Sequence, residues 1–414
     1  MKATLYRAAL RYPHLQLYTA SSGSVAALDE LYLLLEDQGV HGLGEVRVNI
    51  AYLNGYGQQQ VLDDVLGYLR LLDLGQDAGQ LLAGLNAWAA GCLAPTRMLL
   101  DVALHDLLAR QAGMSVARWL ADETTPGQQS PGIAPSTGQQ VPDIAPSADG
   151  GAPAGQRVPG ISPVGAATPL PPVSYHTNQT LFWSSREQML QQAEAYVARG
   201  FTELKLRVGV AGFDQDLDRV GALRRRFGGA ISLAADANGQ WPAREALARL
   251  RALAPFDLSY LEQPIADGHA DHPDHGYAAL ADASPIPLML DESMSSEADL
   301  ARVIGLGGKV WAHLKLVKMG GIGPALRAAR QLNAAGVPFM IGQMNEGAAA
   351  TAAALHVAGA TRPAHAELYG ADGLGNDPVA GLIYHRGLVS SPSACGLGVS
   401  FDPARAEFIQ EFCK

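Results

Sequence analysis

Three short apolar runs that each stop on a carboxylate constrain this chain more than any other feature. Ile231-Ser-Leu-Ala-Ala-Asp236 ends on Asp236, Phe256-Asp-Leu-Ser-Tyr-Leu-Glu262 ends on Glu262, and Ile286-Pro-Leu-Met-Leu-Asp291 ends on Asp291. Residues two apart in a strand share a face, so Asp236 and Asn238 point the same way, with Gly239 opening the turn. Pro264 stands just past the second run, where it cannot continue a ladder. Each run is followed by a stretch of helical character. Strands that alternate with helices lie parallel, and three consecutive strand ends of this kind bring oxygen ligands to one rim.

The alternation extends well beyond these three runs. Strands are expected over 173–183, 202–208, 231–236, 258–262, 287–291, 310–317, 337–341 and 364–368. Helices are expected between them, including Glu187 to Arg199, Asp214 to Phe227, Ala243 to Ala254 and Gly323 to Ala335. Eight such units within about 200 residues argue for an α/β chain with a (β/α)8, TIM-like barrel. An open doubly wound sheet is the rival, but no strand is followed by the glycine-rich phosphate fingerprint G-x-G-x-x-G.

The rest of the 414 residues is too much for one barrel core. Residues 1–123 read as an α+β capping domain, with strand-like alternation over Leu5 to Tyr18 and Asp29 to Glu45 and helices over Gln58 to Leu72, Leu81 to Trp88 and from Met98 towards Gly113. His105 on the last of these is a packing residue, because no ligand partner stands at metal-binding spacing. Residues 124–172 are rich in Pro, Gly, Ser, Ala and Gln and contain a loose repeat, Gly-Gln-Gln-Ser-Pro-Gly-Ile-Ala-Pro-Ser at 127–136 with echoes downstream. Such a segment buries too little to offset its ordering entropy and reads as an insertion or linker. The barrel occupies 173–369, and 370–414 returns to the capping domain.

Charge and composition exclude several functions. With 30 basic against 40 acidic residues and no basic run longer than Arg224-Arg-Arg226, nucleic acid is not expected as a partner. Cys92, Cys395 and Cys413 are an odd number without metal-like spacing. The N-terminus lacks the apolar core of a signal peptide and no run is long enough for a membrane span, so a soluble cytoplasmic protein is expected.

The polar residues at the expected strand ends form a chemically coherent set. Lys205 and Arg207 share a face of strand two; His313 and Lys315 share a face of strand six. Strand seven ends near Gln343 to Glu346, and strand eight presents Glu367. Buried Lys, Asp and Glu are costly without pairing or function, so two cationic strands flanking three carboxylate strands point to catalysis. Oxygen ligands suit Mg²⁺.

Lys205-x-Arg207, Asp236-x-Asn238, Glu262-Gln-Pro264, Asp291-Glu-Ser293 and Leu314-Lys315 followed by Gly320-Gly321 together resemble the enolase superfamily, in its mandelate racemase and muconate cycloisomerase (muconate lactonizing enzyme) branch. His41-Gly-Leu-Gly-Glu45 and Ala103-Leu-His-Asp-Leu-Leu-Ala-Arg110 match landmarks of its capping domain. The resemblance implies that Asp236, Glu262 and Asp291 bind Mg²⁺, that the metal holds a substrate carboxylate, that Lys205 helps neutralise it, and that Lys315 is acid or base at the α-carbon. Proton removal beside a carboxylate builds a dianion, which needs fixed positive charge, and a lysine among cations is expected to have its pKa lowered. Glu367 is expected as a polar or acidic partner of the substrate; Glu346 also suits a helix N-terminus. Asn238, Asn178, Gln343, Glu346, Tyr52 and Tyr56 are expected to contact the substrate or support those that do.

One position departs from the family's Lys-x-Lys. Arg207 stays protonated and is a poor proton acceptor, which favours a reaction that Lys315 starts alone. The implied activity is a lyase or isomerase, either an acid dehydratase or a muconate-type cycloisomerase. Racemisation or epimerisation and a non-catalytic metal-binding barrel are the alternatives. A small carboxylate substrate and a homo-oligomer are implied as partners.

Overall fold

The computed structural model describes residues 1–121, 171–392 and 394–413. Except for its last two positions, the insertion expected over 124–172 lies outside the described residues.

The N-terminal unit is an antiparallel sheet covered by helices. Its strands run in the order Glu407–Phe412, Lys2–Leu10, Leu28–Asp37, Val40–Arg47. The strand-like alternation over Asp29 to Glu45 is a hairpin, because Gln38 and Gly39 take φ of 51° and 78°, the two positive values that a tight two-residue hairpin turn requires. The helix Ala94–Gln111 lies across this sheet. Gly42 and Gly44 permit the close contact, since a Cβ on Gly44 would come within 2.2 Å of the Leu99 carbonyl oxygen. His105 is buried in that helix with Nδ1 2.8 Å from the Asp101 carbonyl oxygen and 3.2 Å from Asp101 Oδ1, so it has a carboxylate partner one turn back that the sequence reading did not give it.

Eight parallel strands form the second unit in strict sequence order: Gln179–Leu181, Glu203–Arg207, Ser232–Asp236, Leu258–Glu262, Leu288–Leu290, Val310–Lys315, Phe339–Gly342 and His365–Glu367. Asn178 N–H donates to the Ala366 carbonyl at 3.0 Å, bringing the first strand's edge to the last. Helices fill the connections between the strands, from Arg186–Ala198 to Ala348–Thr361. This is a TIM-like barrel whose chain, after the eighth strand, runs back to the cap. The first strand is shorter than the expected 173–183, because Val173–His176 leaves the barrel to pair with Leu388–Ser391.

Along strand two, Leu204 and Leu206 pack with the apolar core while Lys205 and Arg207 take the other face. An apolar layer of Ala234, Tyr260, Met289 and Met340 fills the barrel interior, and the register sets Arg207 beside Asp236, Asp236 beside Glu262, and Lys315, Gly342 and Glu367 in one row. The charged groups therefore stand at the C-terminal rim. Among the described residues, no helix is long and apolar enough to cross a membrane, and all three cysteines are unpaired.

Candidate active site

The rim is a buried network of cations and carboxylates. Lys205 is fully buried; its Nζ lies 2.8 Å from Glu262 Oε2 and 3.8 Å from Asp236 Oδ2, and it also pairs with Glu367. Arg207 Nη1 pairs with Asp236 and reaches Asn238 Oδ1 at 3.4 Å. Lys315 Nζ donates to Asp291 Oδ2 at 2.6 Å, and Lys318 Nζ to Asp291 Oδ1 at 2.5 Å. Burial of so many charges is repaid only by close mutual pairing, and the network provides it.

Neighbouring charges decide each protonation state. Burial alone would raise the Glu367 carboxyl, but Lys205 first, with Arg207 and Lys315 beyond it, holds it at about 2. Burial likewise opposes the charged form of Asp291, yet Lys315 and Lys318 keep it well below the carboxylate range. At Asp236 burial wins, raising the carboxyl to about 6 against the pull of Arg207. Burial and the Asp291 charge push Glu292 to about 8. Lys315 differs from expectation. Burial lowers its ammonium pKa, but Asp291, Glu262 and Glu367 outweigh burial and raise it, because its nearest neighbours are carboxylates rather than cations.

Three of the seven non-glycine residues with positive φ among the described residues stand at the same rim. Asn238, Gln263 and Asn345 have φ of 45°, 38° and 56°, conformations that non-glycine residues hold only where the surroundings enforce them, often at functional sites. Gln263 locks two strand ends together, since its Oε1 accepts from Asp291 N–H at 3.0 Å while its Nε2 donates to Ser293 Oγ at 2.7 Å.

The donor set fits Mg²⁺. Asp236, Glu262 and Asp291 are 0, 0 and 2% exposed on three adjacent strand ends, and hard oxygens are what that ion takes. The most tightly gathered ligand atoms are those of Glu262, Asp291 and His313, all within 4.8 Å of one another. Asp236 is outside that group and is held by Arg207. His313 turns Nδ1 to Glu262 Oε1 at 2.9 Å; burial and Lys315 keep its ring neutral, so the tautomer with hydrogen on Nδ1 orients Glu262 by donating an N–H hydrogen bond.

A narrow cavity opens where the rim meets the cap. On the barrel side it is lined by Arg207, Asn238, Asp291, Glu292, Lys315 and Gln343. Thr19, Ser21, Tyr52 and Leu53 close it from the cap, with Phe182, Met344 and Asn345 between. Asn178 acts from behind, donating Nδ2 to Glu367 Oε2 at 3.2 Å. Gln343 Oε1 accepts from Glu346 N–H at 2.8 Å, and Glu346 Oε2 accepts from Met344 N–H at 3.1 Å, so Glu346 braces its own loop. The carboxylates at the N-terminus of helix Ala348–Thr361 are instead Glu45 and Asp377, which accept from Ala350 and Ala348 N–H, each at 2.8 Å. Tyr56 is not among the residues lining the cavity. Sequence reasoning missed Lys318, Glu292, Phe182 and Asn345. Lys318 carried a signal, standing one short turn beyond Lys315 in Leu316–Met319, and so did Glu292, a second carboxylate inside the quoted Asp291-Glu-Ser293.

A TIM-like barrel with carboxylates on successive strand ends, a lysine on either side and a cap of antiparallel strands defines a class of protein. The profile of the family described as "Enolase C-terminal domain-like" matches residues 188–405, and the chain belongs to the enolase superfamily, in its mandelate racemase and muconate cycloisomerase branch. It is 31% identical to N-succinyl-L-Arg/Lys racemase of Bacillus cereus over 173 residues, 42% of this chain and 46% of that protein. It is 31% identical to L-Ala-D/L-Glu epimerase of Bacillus subtilis over 229 residues, 54% of this chain and 61% of the relative. The chain thus matches about half the length of these relatives. Its fold is similar to that of the solved N-succinyl Arg/Lys racemase from Bacillus cereus, with TM-score 0.79, 21% identity, and 100% and 98% of the two chains covered. Muconate lactonizing enzyme from Pseudomonas fluorescens gives TM-score 0.78 at 22% identity, covering 97% of this chain and 96% of the other.

Proposed function

We propose that this chain is a Mg²⁺-dependent lyase or isomerase that removes the α-proton of a small carboxylate substrate, with Lys315 as the base. The carrying observation is the asymmetry across the cavity. Lys315 lines one part of it and is held protonated by Asp291 here, but an amine can give up its proton once a divalent cation takes up that carboxylate's charge, whereas Arg207, which also lines it, is a guanidinium fixed to Asp236 that does not give up its charge. That supports one-sided proton removal, and hence β-elimination or cycloisomerisation ahead of racemisation or epimerisation.

Asp236, Glu262 and Asp291 would hold the metal. The chemistry a divalent cation supplies there is positive charge beside the substrate's carboxylate oxygens, where negative charge grows as the α-proton leaves. Lys205, pinned between Glu262 and Glu367, adds fixed charge on that side. Lys318 keeps Asp291 paired when Lys315 turns towards substrate, and Asn178 holds Glu367 in place. In this reading residues 1–123 exclude water and shape the substrate mouth, while 173–369 carry the chemistry. The reading extends to a cytoplasmic homo-oligomer, which sedimentation of the purified protein and cell fractionation test.

The function is tested by offering acid sugars, muconates and N-acyl amino acids with Mg²⁺ in ²H₂O and following exchange and turnover by NMR. Exchange or turnover of at least one class that disappears with chelator supports the proposal. Metal binding by titration calorimetry with no exchange or turnover in any class identifies a non-catalytic barrel.

A further inference from the structure

We propose that the substrate is a monocarboxylate whose far end is uncharged and partly apolar. This inference rests on the proposed function and narrows it, because the relatives named above include proteins named for charged amino-acid derivatives and dipeptides.

Every carboxylate, amine and guanidinium lining the cavity belongs to the barrel rim. Arg207 is paired with Asp236, and Lys315 with Asp291; Glu292 accepts from Asn238 Nδ2 at 3.3 Å through Oε1, while its Oε2 is buried on the rim side without a partner among the described residues. The opposite wall has no ionisable carboxylate or amine. Thr19, Ser21, Tyr52 and Leu53 form it from the cap. Phe182, Met344 and Asn345 continue it on the barrel side. Phe182 is 3% exposed and belongs to an apolar cluster with Leu10, Leu17, Leu28 and Tyr369 at the seam between the two units, so the wall is backed by hydrocarbon.

Two further carboxylates near the rim do not line the cavity, although Glu346 Oε1 is buried without a partner among the described residues. Glu367 is not among the residues lining the cavity, and its Oε2 is taken by Lys205 and Asn178. Glu346 is behind the Gln343–Asn345 loop, 1% exposed, with Oε2 on Met344 N–H. An ammonium or second carboxylate directed at that wall would therefore lose its hydration without gaining a counter-charge there, which is costly in a closed site. A methyl or amide group meets hydroxyls, an amide and apolar surface instead. The polar members of the wall, Thr19, Ser21 and Asn345, suit an amide or hydroxyl in that tail.

Three matched compounds isolate tail charge. N-acetyl-leucine, alanyl-leucine and N-succinyl-leucine share the carboxylate and α-carbon but carry a neutral, a cationic and an anionic tail. Each is titrated calorimetrically into the full-length, Mg²⁺-loaded protein, with both configurations at the leucine α-carbon, and exchange in ²H₂O is followed in parallel. The neutral compound is expected to bind at least about tenfold more tightly than either charged one. Leu53→Asp, on the surface-lying turn Ala51–Asn54 that buries no residue, is expected to move selection towards alanyl-leucine. Equal or tighter binding of a charged compound, or binding of none of the three, overturns the inference. Selective binding of the neutral compound without exchange leaves the inference standing and counts only against the proposed chemistry.

Discussion

Replacing Lys315 by alanine separates chemistry from structure unusually well. Removing one partner of a buried ion pair usually costs about 3–5 kcal/mol, because the other charge is stranded. Asp291 would not be stranded, since Lys318 Nζ remains 2.5 Å from Oδ1 and Gln263 Oε1 still accepts the Asp291 N–H. The loss of stability should therefore be no more than about 2 kcal/mol. A positioned general base contributes about 10²- to 10⁴-fold, which is about 3–5 kcal/mol of barrier. Lys315→Ala is thus expected to slow α-proton exchange by at least about a hundredfold, with urea unfolding little changed. NMR exchange rates and denaturation midpoints on the same preparations provide the test. Exchange within about threefold of wild type, a difference small beside that base contribution, would refute the role of Lys315. A collapse of stability would refute the claim that Lys318 suffices for Asp291.

Three further outcomes follow from the same geometry. Arg207→Lys should introduce exchange into the enantiomer that wild type leaves untouched, because a lysine there can accept a proton; NMR of each enantiomer detects it. Glu262→Gln should weaken Mg²⁺ binding in calorimetry and abolish turnover with little loss of fold, since Lys205 retains Glu367. Glu45→Gln should flatten the dependence of stability on pH. Burial and then the charge of Asp377 raise the Glu45 carboxyl well above its ordinary value, and burial raises Asp377 to about 6. Groups with raised folded pKa values give their stability below the unfolded value and lose it as pH rises through the folded one. Wild-type thermal stability should therefore fall as pH rises from about 4.5 through 6 and beyond. The glutamine keeps the bond to Ala350 N–H without the charge. Identical pH profiles for the two proteins would rule this out.

The barrel and its charged rim were legible because strand period and strand-end chemistry are local. Lys205 with Arg207 follows from the two-residue period alone, whereas Asn238, beyond the strand Ser232–Asp236 and with φ 45°, comes to Asp236 through a turn in which its N–H donates to Asp236 Oδ1 at 2.8 Å. What could not be read arises from contacts across the chain. The first barrel strand is shorter than its apolar run suggests because Val173–His176 has a partner more than 200 residues away, in Leu388–Ser391. The raised pKa of Lys315 depends on which charges fold nearest to it, as does the hold of Arg207 on Asp236. The helix N-terminus that Glu346 suited by sequence is occupied by Glu45 and Asp377, from opposite ends of the chain. Phe182 carried no signal because its place in the wall depends on how the cap seats on the barrel.

The central claim is that proton removal is metal-dependent and comes from one side. The most direct measurement is deuterium incorporation at the α-carbon of each enantiomer of a bound carboxylate by the wild-type protein in ²H₂O, with Mg²⁺ and with chelator. The account predicts exchange in a single enantiomer, abolished by chelation. Comparable exchange in both enantiomers, or exchange that survives removal of the metal, would contradict it.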